Sequence, residues 1–445
     1  MTAKLGARSN DSLVIPDFGD QVRLEASLSR LVSSLPPSGI LRISDDVRAR
    51  VASGGEVVNL TVGDFDPRYF PIPAKLLRGI QDALAAGATN YPAPPGVMAL
   101  REAVRDYVQR ESGVRYPIES ILIASGGRPI LYGAYRTVVS PGDKVVYSVP
   151  SWQNEAYICL SEATPVVIEA RSENGFQPTI DELAPHLRDA RLICLCSPGN
   201  PTGTAMDPEM LRSILAAVVG ENQRRLHREN ERPLVLLYDQ IYGSLRVSND
   251  KHRYAAALLP ECAPYVMSMD GASKAFAGTG IRVAWLLAAP AIAAKMGELL
   301  THVGTWAPHA EQVGLAHFLS DVDAVREYRS EMDDKIHQRL DAVYNGFVAM
   351  RDAGLPVDCI YPEGAIYVSL QLQLIGKHMD GRVIKDNDTI RSLLLEKAGV
   401  AVVPFQAFGL EKETGWFRLS IGAVSMQQIA EMFPRIRALL QLVSQ

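Results

Sequence analysis

In SMDGASKAFAGTGIRVAW, residues 268–285, a lysine, Lys274, follows an apolar run and is flanked by small residues, with Arg282 eight positions on. A lysine in a low-dielectric pocket has its charged form disfavoured, so its amine becomes nucleophilic near neutral pH and can form a Schiff base with an aldehyde. Arg282 supplies a permanent planar cation suited to phosphate. One ligand that needs both is an aldehyde carrying a phosphate. Three further stretches carry compatible chemistry. IASGGRPILYGAY reads as a strand ending at Ser125, two glycines, and a helix beginning at Pro129 or Ile130, which leaves the amides of Gly127 and Arg128 free for an anion. SPGNPTG offers the side-chain amide of Asn200 between two prolines. LVLLYDQIYGSL ends an apolar run on Asp239, a carboxylate that needs a cation, donors or a helix to cap, with Tyr242 three positions later.

Strand ends must gather these pieces. Between residues 118 and 288 the β-branched runs ILIAS, KVVYSV, PVVIEA, LICLCS, LVLLYD, YVMSMD and VAWLLA alternate with amphipathic stretches. That alternation predicts an α/β fold with a mainly parallel sheet flanked by helices, whose ligands collect at the carboxyl ends of the strands. From about Val322 the pattern changes to a long helix, shorter strands and a closing helix near 426–441, which predicts a smaller α+β domain. The expected division is an N-terminal arm with part of the small domain over 1–75, a large domain over 76–320, and the small C-terminal domain over 321–445. LPPSGILRISDDVRARV before Val57 reads as a single entering helix.

Composition narrows the partners. A chain of 445 residues with a net charge of −5 and dispersed basic residues presents no footprint for nucleic acid or an anionic membrane, so small molecules are the expected partners. No apolar run is long enough to span a bilayer and the first residues lack an apolar signal core, which points to a cytoplasmic protein. The five dispersed cysteines form neither a disulfide framework nor a zinc pattern; Cys194 and Cys196 read as small core residues, and no metal site is expected.

In order and spacing, VNLTVGDFD, NYPAPPGVMALREAV, SGGRP, PSW, NPTG, DQIY, SKAFAGTGIR, PEGAIY and FRLSIG resemble the class I/II aminotransferases, fold-type I enzymes that use pyridoxal 5′-phosphate (PLP). The resemblance runs from about Leu35 to the C-terminus. It implies that Lys274 holds PLP as an internal aldimine and moves the proton, that Asp239 faces the pyridine nitrogen, and that Tyr242 and Asn200 bond the phenolic oxygen. Trp152 would stack on the ring. Gly127, Arg128, Ser273 and Arg282 would hold the phosphate, with Tyr91 reaching it from the neighbouring subunit of a homodimer that shares its active sites. Gly63 and Arg418 would hold the substrate, Arg418 by its α-carboxylate.

The implied activity is ping-pong transfer of an amino group between an amino acid and a 2-oxo acid. Elimination, replacement or cyclisation on an amino acid is the alternative, and a PLP-binding transcription regulator a remoter one. Departures from the family pattern are Gly271, where a hydroxyl residue is frequent, Phe405 near the expected substrate entrance, and Arg68 and Tyr69 in an extended loop that reads either as substrate-facing or as solvated.

Overall fold

The computed structural model describes residues 24–36, 39–228, 231–247 and 253–443. Its central sheet contains β1 (Ile121–Ala124), β2 (Lys144–Val149), β3 (Thr164–Glu169), β4 (Ala190–Cys196), β5 (Val235–Asp239), β6 (Val266–Gly271) and β7 (Ala284–Leu287), in spatial order β1-β7-β6-β5-β4-β2-β3. Neighbours from β6 to β3 run parallel, whereas β7 is antiparallel to both β6 and β1. The helices that matter for the site are, in chain order, α1 (Gly39–Ala52), α2 (Ala74–Ala85), α3 (Met98–Ser112), α4 (Gly127–Val138), α5 (Pro208–Leu226), α6 (Pro290–Val303), α7 (His309–Ser320), α8 (Val322–Asp352) and α9 (Met426–Gln441).

The strands read as continuous apolar runs because both faces are buried. Leu192 and Cys194 of β4, Leu237 of β5 and Met267 and Met269 of β6 pack with α4 and α6 on one face. Their sequence neighbours Ile193, Leu195, Leu236 and Tyr238 point the opposite way and meet α5. Further along that second face Ile121, Ile123, Trp285 and Leu287 meet α2, α3 and α7. The period of two along each strand thus divides one apolar run between two cores. At its start α5 has Pro208 in the first turn, and the Asp207 carboxylate accepts from the amides of Glu209 and Met210.

A second layer has its own core. Strands β8 (Val357–Ile360), β9 (Tyr367–Leu372), β10 (Val403–Pro404) and β11 (Trp416–Ser420) form an antiparallel sheet in the order β10-β11-β9-β8, packed with α8 and α9. The chain's early segment joins it: Val58–Asn59 pairs in parallel with Val400–Ala401, and the Ser420 amide donates to the Leu60 carbonyl at 2.8 Å. These bonds carry Gly63 to the carboxyl edge of the large sheet.

Candidate active site

Four connections after strands converge at that edge. After β1 the chain turns at Gly126, whose φ of 90° belongs to the left-handed region; a Cβ there would lie 2.3 Å from Arg282 Nη2. The helix therefore starts at Gly127, two residues before the earlier of the starts expected from sequence. Pro129 falls third in the helix, still inside the turn where a missing N–H costs nothing. Arg282 Nη2 donates to the Ser125 carbonyl at 3.1 Å and Nη1 to the Thr279 carbonyl at 2.8 Å, and no carboxylate pairs with it among the described residues. A guanidinium beside free helical amides, with only neutral partners, is an anion cradle.

Lys274 lies in the short turn Ala272–Ala275 that follows β6, next to the buried Ser273. Its Nζ donates to the Gly63 carbonyl at 2.7 Å and sits 5.8 Å and 5.9 Å from the ring centres of Phe65 and Tyr242. Burial pulls this amine down to about 8; Asp64 opposes the shift, and Arg418, Arg128 and Arg282 add to it. Gly271 has a packing reason, since a Cβ there would come within 2.7 Å of the Ala284 Cβ on β7. No hydroxyl side chain fits at that position.

Asp239 ends β5 and lines a cavity of about 570 Å³, open mouth included, together with Trp152, Asn154 and Asn200. Its Oδ1 accepts from the Ile241 amide at 3.0 Å, and among the described residues it has no cationic partner. Burial pushes the carboxyl up to about 7. The Arg128 guanidinium lies 4.8 Å from the centre of the Trp152 ring. Cys194 and Cys196, expected only as core, both line this cavity, and the buried Cys194 donates its Sγ–H to the Tyr135 hydroxyl at 3.2 Å.

Arg418 belongs to β11 and is 2 % exposed. Nη1 donates to Asn200 Oδ1 at 3.0 Å and Nη2 to the Thr61 carbonyl at 2.6 Å, while Nε is buried without a partner. The guanidinium is held between the rings of Tyr367 and Phe408, 4.8 Å and 4.9 Å from their centres. Burial lowers its pKa, and no carboxylate among the described residues compensates it. Tyr242, also buried, shares a 2.6 Å hydrogen bond with the Tyr367 hydroxyl.

One further expectation needs correction. Phe405 is fully buried in an aromatic cluster with Phe176, Phe408 and Trp416, because the turn after Pro404 directs it into the core instead of the entrance. Arg68 pairs with Asp66 at 2.6 Å on the exposed surface, as the solvated reading has it, whereas Tyr69 is partly buried against the core of the second layer. Tyr91 does not reach the cavity of its own chain: it is 80 % exposed, with its ring 4.9 Å from that of Trp306. Asp64, Thr279 and Tyr367 were missed. Thr279 Oγ1 donates to Asp64 Oδ2 at 3.1 Å, tying the loop before β7 to the loop that carries Gly63. Asp64 and Tyr367 lie inside the stretches VGDFD and GAIY, where Gly63 and Gly364 mark close approaches of the backbone.

The donor set suits a phosphorylated, ring-nitrogen aldehyde. Lys274, Arg128, Arg282 and Arg418 outnumber the acids Asp64 and Asp239, Gly126 leaves the cradle clear, and the carboxyl of Asp239 awaits a positive partner. PLP brings an anion, an electrophilic carbon and a basic ring nitrogen to these three places.

Comparison with known proteins agrees. The sequence model described as "Aminotransferase class I and II" matches residues 55–436. The chain is 30% identical over 411 residues to an aspartate aminotransferase of Rhizobium meliloti (strain 1021), covering 92% of this chain and 94% of that protein. It is 29% identical over 410 residues to a bifunctional aspartate aminotransferase and glutamate/aspartate-prephenate aminotransferase of Petunia hybrida, covering 91% and 82%. The crystal structure of the Rhizobium meliloti aspartate aminotransferase superposes with a TM-score of 0.84 at 28% identity, over 94% of this chain and 99% of the other.

Proposed function

The chain belongs to the class I and II aminotransferase family and is a PLP-dependent transferase of amino groups; from that premise we propose how its own residues carry out the reaction. When bound, PLP supplies an electron sink that stabilises negative charge on a substrate Cα. Lys274 would hold its aldehyde carbon covalently and, once released by an incoming amino acid, serve as the base that takes the Cα proton. An amine at about 8 is neutral in roughly a tenth of molecules at pH 7, far more than an ordinary lysine. The Gly63 carbonyl, which accepts from Nζ, and the Phe65 ring keep the amine in place and away from bulk water.

Asp239 would face the ring nitrogen and hold a proton there; the energy stored in its burial is recovered when a cation arrives. Gly127, Arg128, Ser273 and Arg282 would hold the phosphate, and Trp152 would cover one face of the ring. Tyr242 and Asn200 would bond the phenolic oxygen. Arg418 would receive the substrate α-carboxylate as a fork, with Gly63 beside it: its Nε lacks a partner, and its stacking between two rings fixes the plane. The observation that carries the assignment is that Arg128, Arg282 and Arg418, gathered around one depressed lysine, have no carboxylate paired to them among the described residues, a cost to folding that an anionic ligand offsets.

The proposal extends to the assembly. Tyr91, exposed on the surface, would reach the phosphate of a second copy in a homodimer with shared sites. Residues 76–320 would form the cofactor domain, with 321–445 and part of 1–75 forming the small domain that carries Arg418. Among the described residues no helix is long and apolar enough to cross a membrane, and a cytoplasmic location is part of the proposal. Both named relatives are aspartate aminotransferases, and the Petunia hybrida one is also a glutamate/aspartate-prephenate aminotransferase, so acidic amino donors are the first to test.

The test is a half-reaction. Adding the amino donor should abolish the absorbance of the lysine-bound cofactor, and a 2-oxo acid should restore it with nitrogen transferred to the acceptor. A donor that instead yields an eliminated or rearranged product, with no transfer, would overturn transamination. Two of the departures from the family pattern, Phe405 and Arg68, lie in a core and in a solvated ion pair, where neither lends a group to elimination.

A further inference from the structure

Tyr367 is fully buried on β9, opposite Ser420 of β11, and its hydroxyl meets that of Tyr242 at 2.6 Å. A Cβ added to Gly63 would lie 2.9 Å from the Tyr367 hydroxyl, so the loop that accepts from Lys274 is packed directly on this phenol. The other face of the contact is fixed as well: the Arg418 guanidinium lies 4.8 Å from the Tyr367 ring centre, and the Tyr242 and Tyr367 rings meet edge to face at 5.5 Å. One side chain of the second layer thus touches the lysine's anchoring loop, the substrate-side arginine and the large-sheet tyrosine.

We propose that Tyr367 is a positioning residue that sets the direction in which Tyr242 donates its proton. The inference rests on the reading of Tyr242 as a donor to the cofactor's phenolic oxygen. Each phenol carries one proton. If Tyr242 gives its own to the cofactor, the short bond between the hydroxyls can be made only by Tyr367 donating to Tyr242. A hydroxyl that accepts one bond while donating another is a stronger donor, because each bond polarises the next. The cation stacked over Tyr367 withdraws density from its ring and favours the same direction. Without the Tyr367 hydroxyl, the Tyr242 hydroxyl would lack the only side-chain hydrogen-bond partner it has among the described residues and would be free to rotate away from the cofactor.

The measurement is the pH midpoint of the visible absorbance of the PLP-loaded protein, in parent, Tyr367→Phe, Tyr242→Phe and the double variant, with the melting temperature of each cofactor-free form as a control for folding. Loss of a donor to the phenolic oxygen raises that midpoint. Tyr367→Phe should raise it by roughly half to one pH unit, Tyr242→Phe by more, and the double variant should match Tyr242→Phe alone, because Tyr367 acts through Tyr242. Tyr367→Leu, which also removes the platform under Arg418, should raise KM for the amino donor more than Tyr367→Phe does. A midpoint that stays at the parent value in Tyr367→Phe while Tyr242→Phe moves it, or additive shifts in the double variant, would overturn the positioning role. If Tyr242→Phe itself leaves the midpoint unmoved, the reading of Tyr242 falls and the role of Tyr367 falls with it.

Discussion

Arg225 and Arg418 are both buried arginines, and the difference between them separates scaffold from site. Near the end of α5, Arg225 directs Nε to Glu221 at 2.7 Å, Nη1 to the Arg232 carbonyl, and Nη2 to the carbonyls of Leu187, Arg188 and Ala190. Every nitrogen has an acceptor and the charge has a carboxylate, whose own pKa is lowered by Arg224 and Arg225. Arg418 has two neutral acceptors, an idle Nε and no acid. Carboxylates divide likewise, Glu221 against Asp239, whose pKa is pushed up to about 7. A folded chain can hold a charge at either place; it leaves one uncompensated only where something else completes the set.

Substitutions can break this contrast or sharpen it. Lys274→Ala has the largest expected effect, loss of the lysine-linked cofactor absorbance and a fall in amino transfer of about 10³-fold or more; retained turnover would end the mechanism. The two arginines come next. Arg418→Leu should raise KM for carboxylate substrates by about 100-fold while the cofactor-free protein melts no lower than the parent, because an unpaired charge has been replaced by apolar bulk. Arg225→Leu should do the reverse, costing about 3 kcal/mol in denaturant unfolding and sparing KM. Equal behaviour of the pair would erase the distinction.

Asp239→Asn tests it through pH. With the folded carboxyl at about 7 against an ordinary 3.8, the cofactor-free protein binds more protons folded than unfolded across that window, so its stability falls as pH rises through it. The variant should lack this slope and exceed the parent by about 4 kcal/mol at pH 8, the gap closing near pH 4. The smallest effect belongs to Arg68→Ala: its exposed ion pair with Asp66 should leave KM within about twofold of the parent.

Much of this was legible in the chain. The seven strands of the large sheet stood out because doubly buried strands are nearly unbroken apolar runs, and Lys274, Asp239, Asn200 and Arg282 lie at or just beyond the ends of such runs, where the sequence reading placed a site. The start of α4 was misread because Pro129 is the louder signal, while the turn is made by the φ of Gly126. Phe405 was misplaced because aromatic residues carry no mark of which side of a loop they face. Tyr367, inside GAIY, shows no task in the sequence, since its partner is 125 positions away and only tertiary packing reveals the pair. The missing partners of Arg418 were beyond reach for the same reason.

The reversal of β7 within an otherwise parallel neighbourhood has an engineering consequence. Because that strand begins at the edge where β1 and β6 finish, one short loop carries the chain from the Lys274 turn to Arg282. The covalent anchor and the anion anchor are therefore spaced by chain length, like two pegs on a single short tether. Adding or deleting even one residue between 275 and 281 would pull one peg out of alignment with the other, whereas loops at the opposite edge of the sheet could be lengthened without touching either.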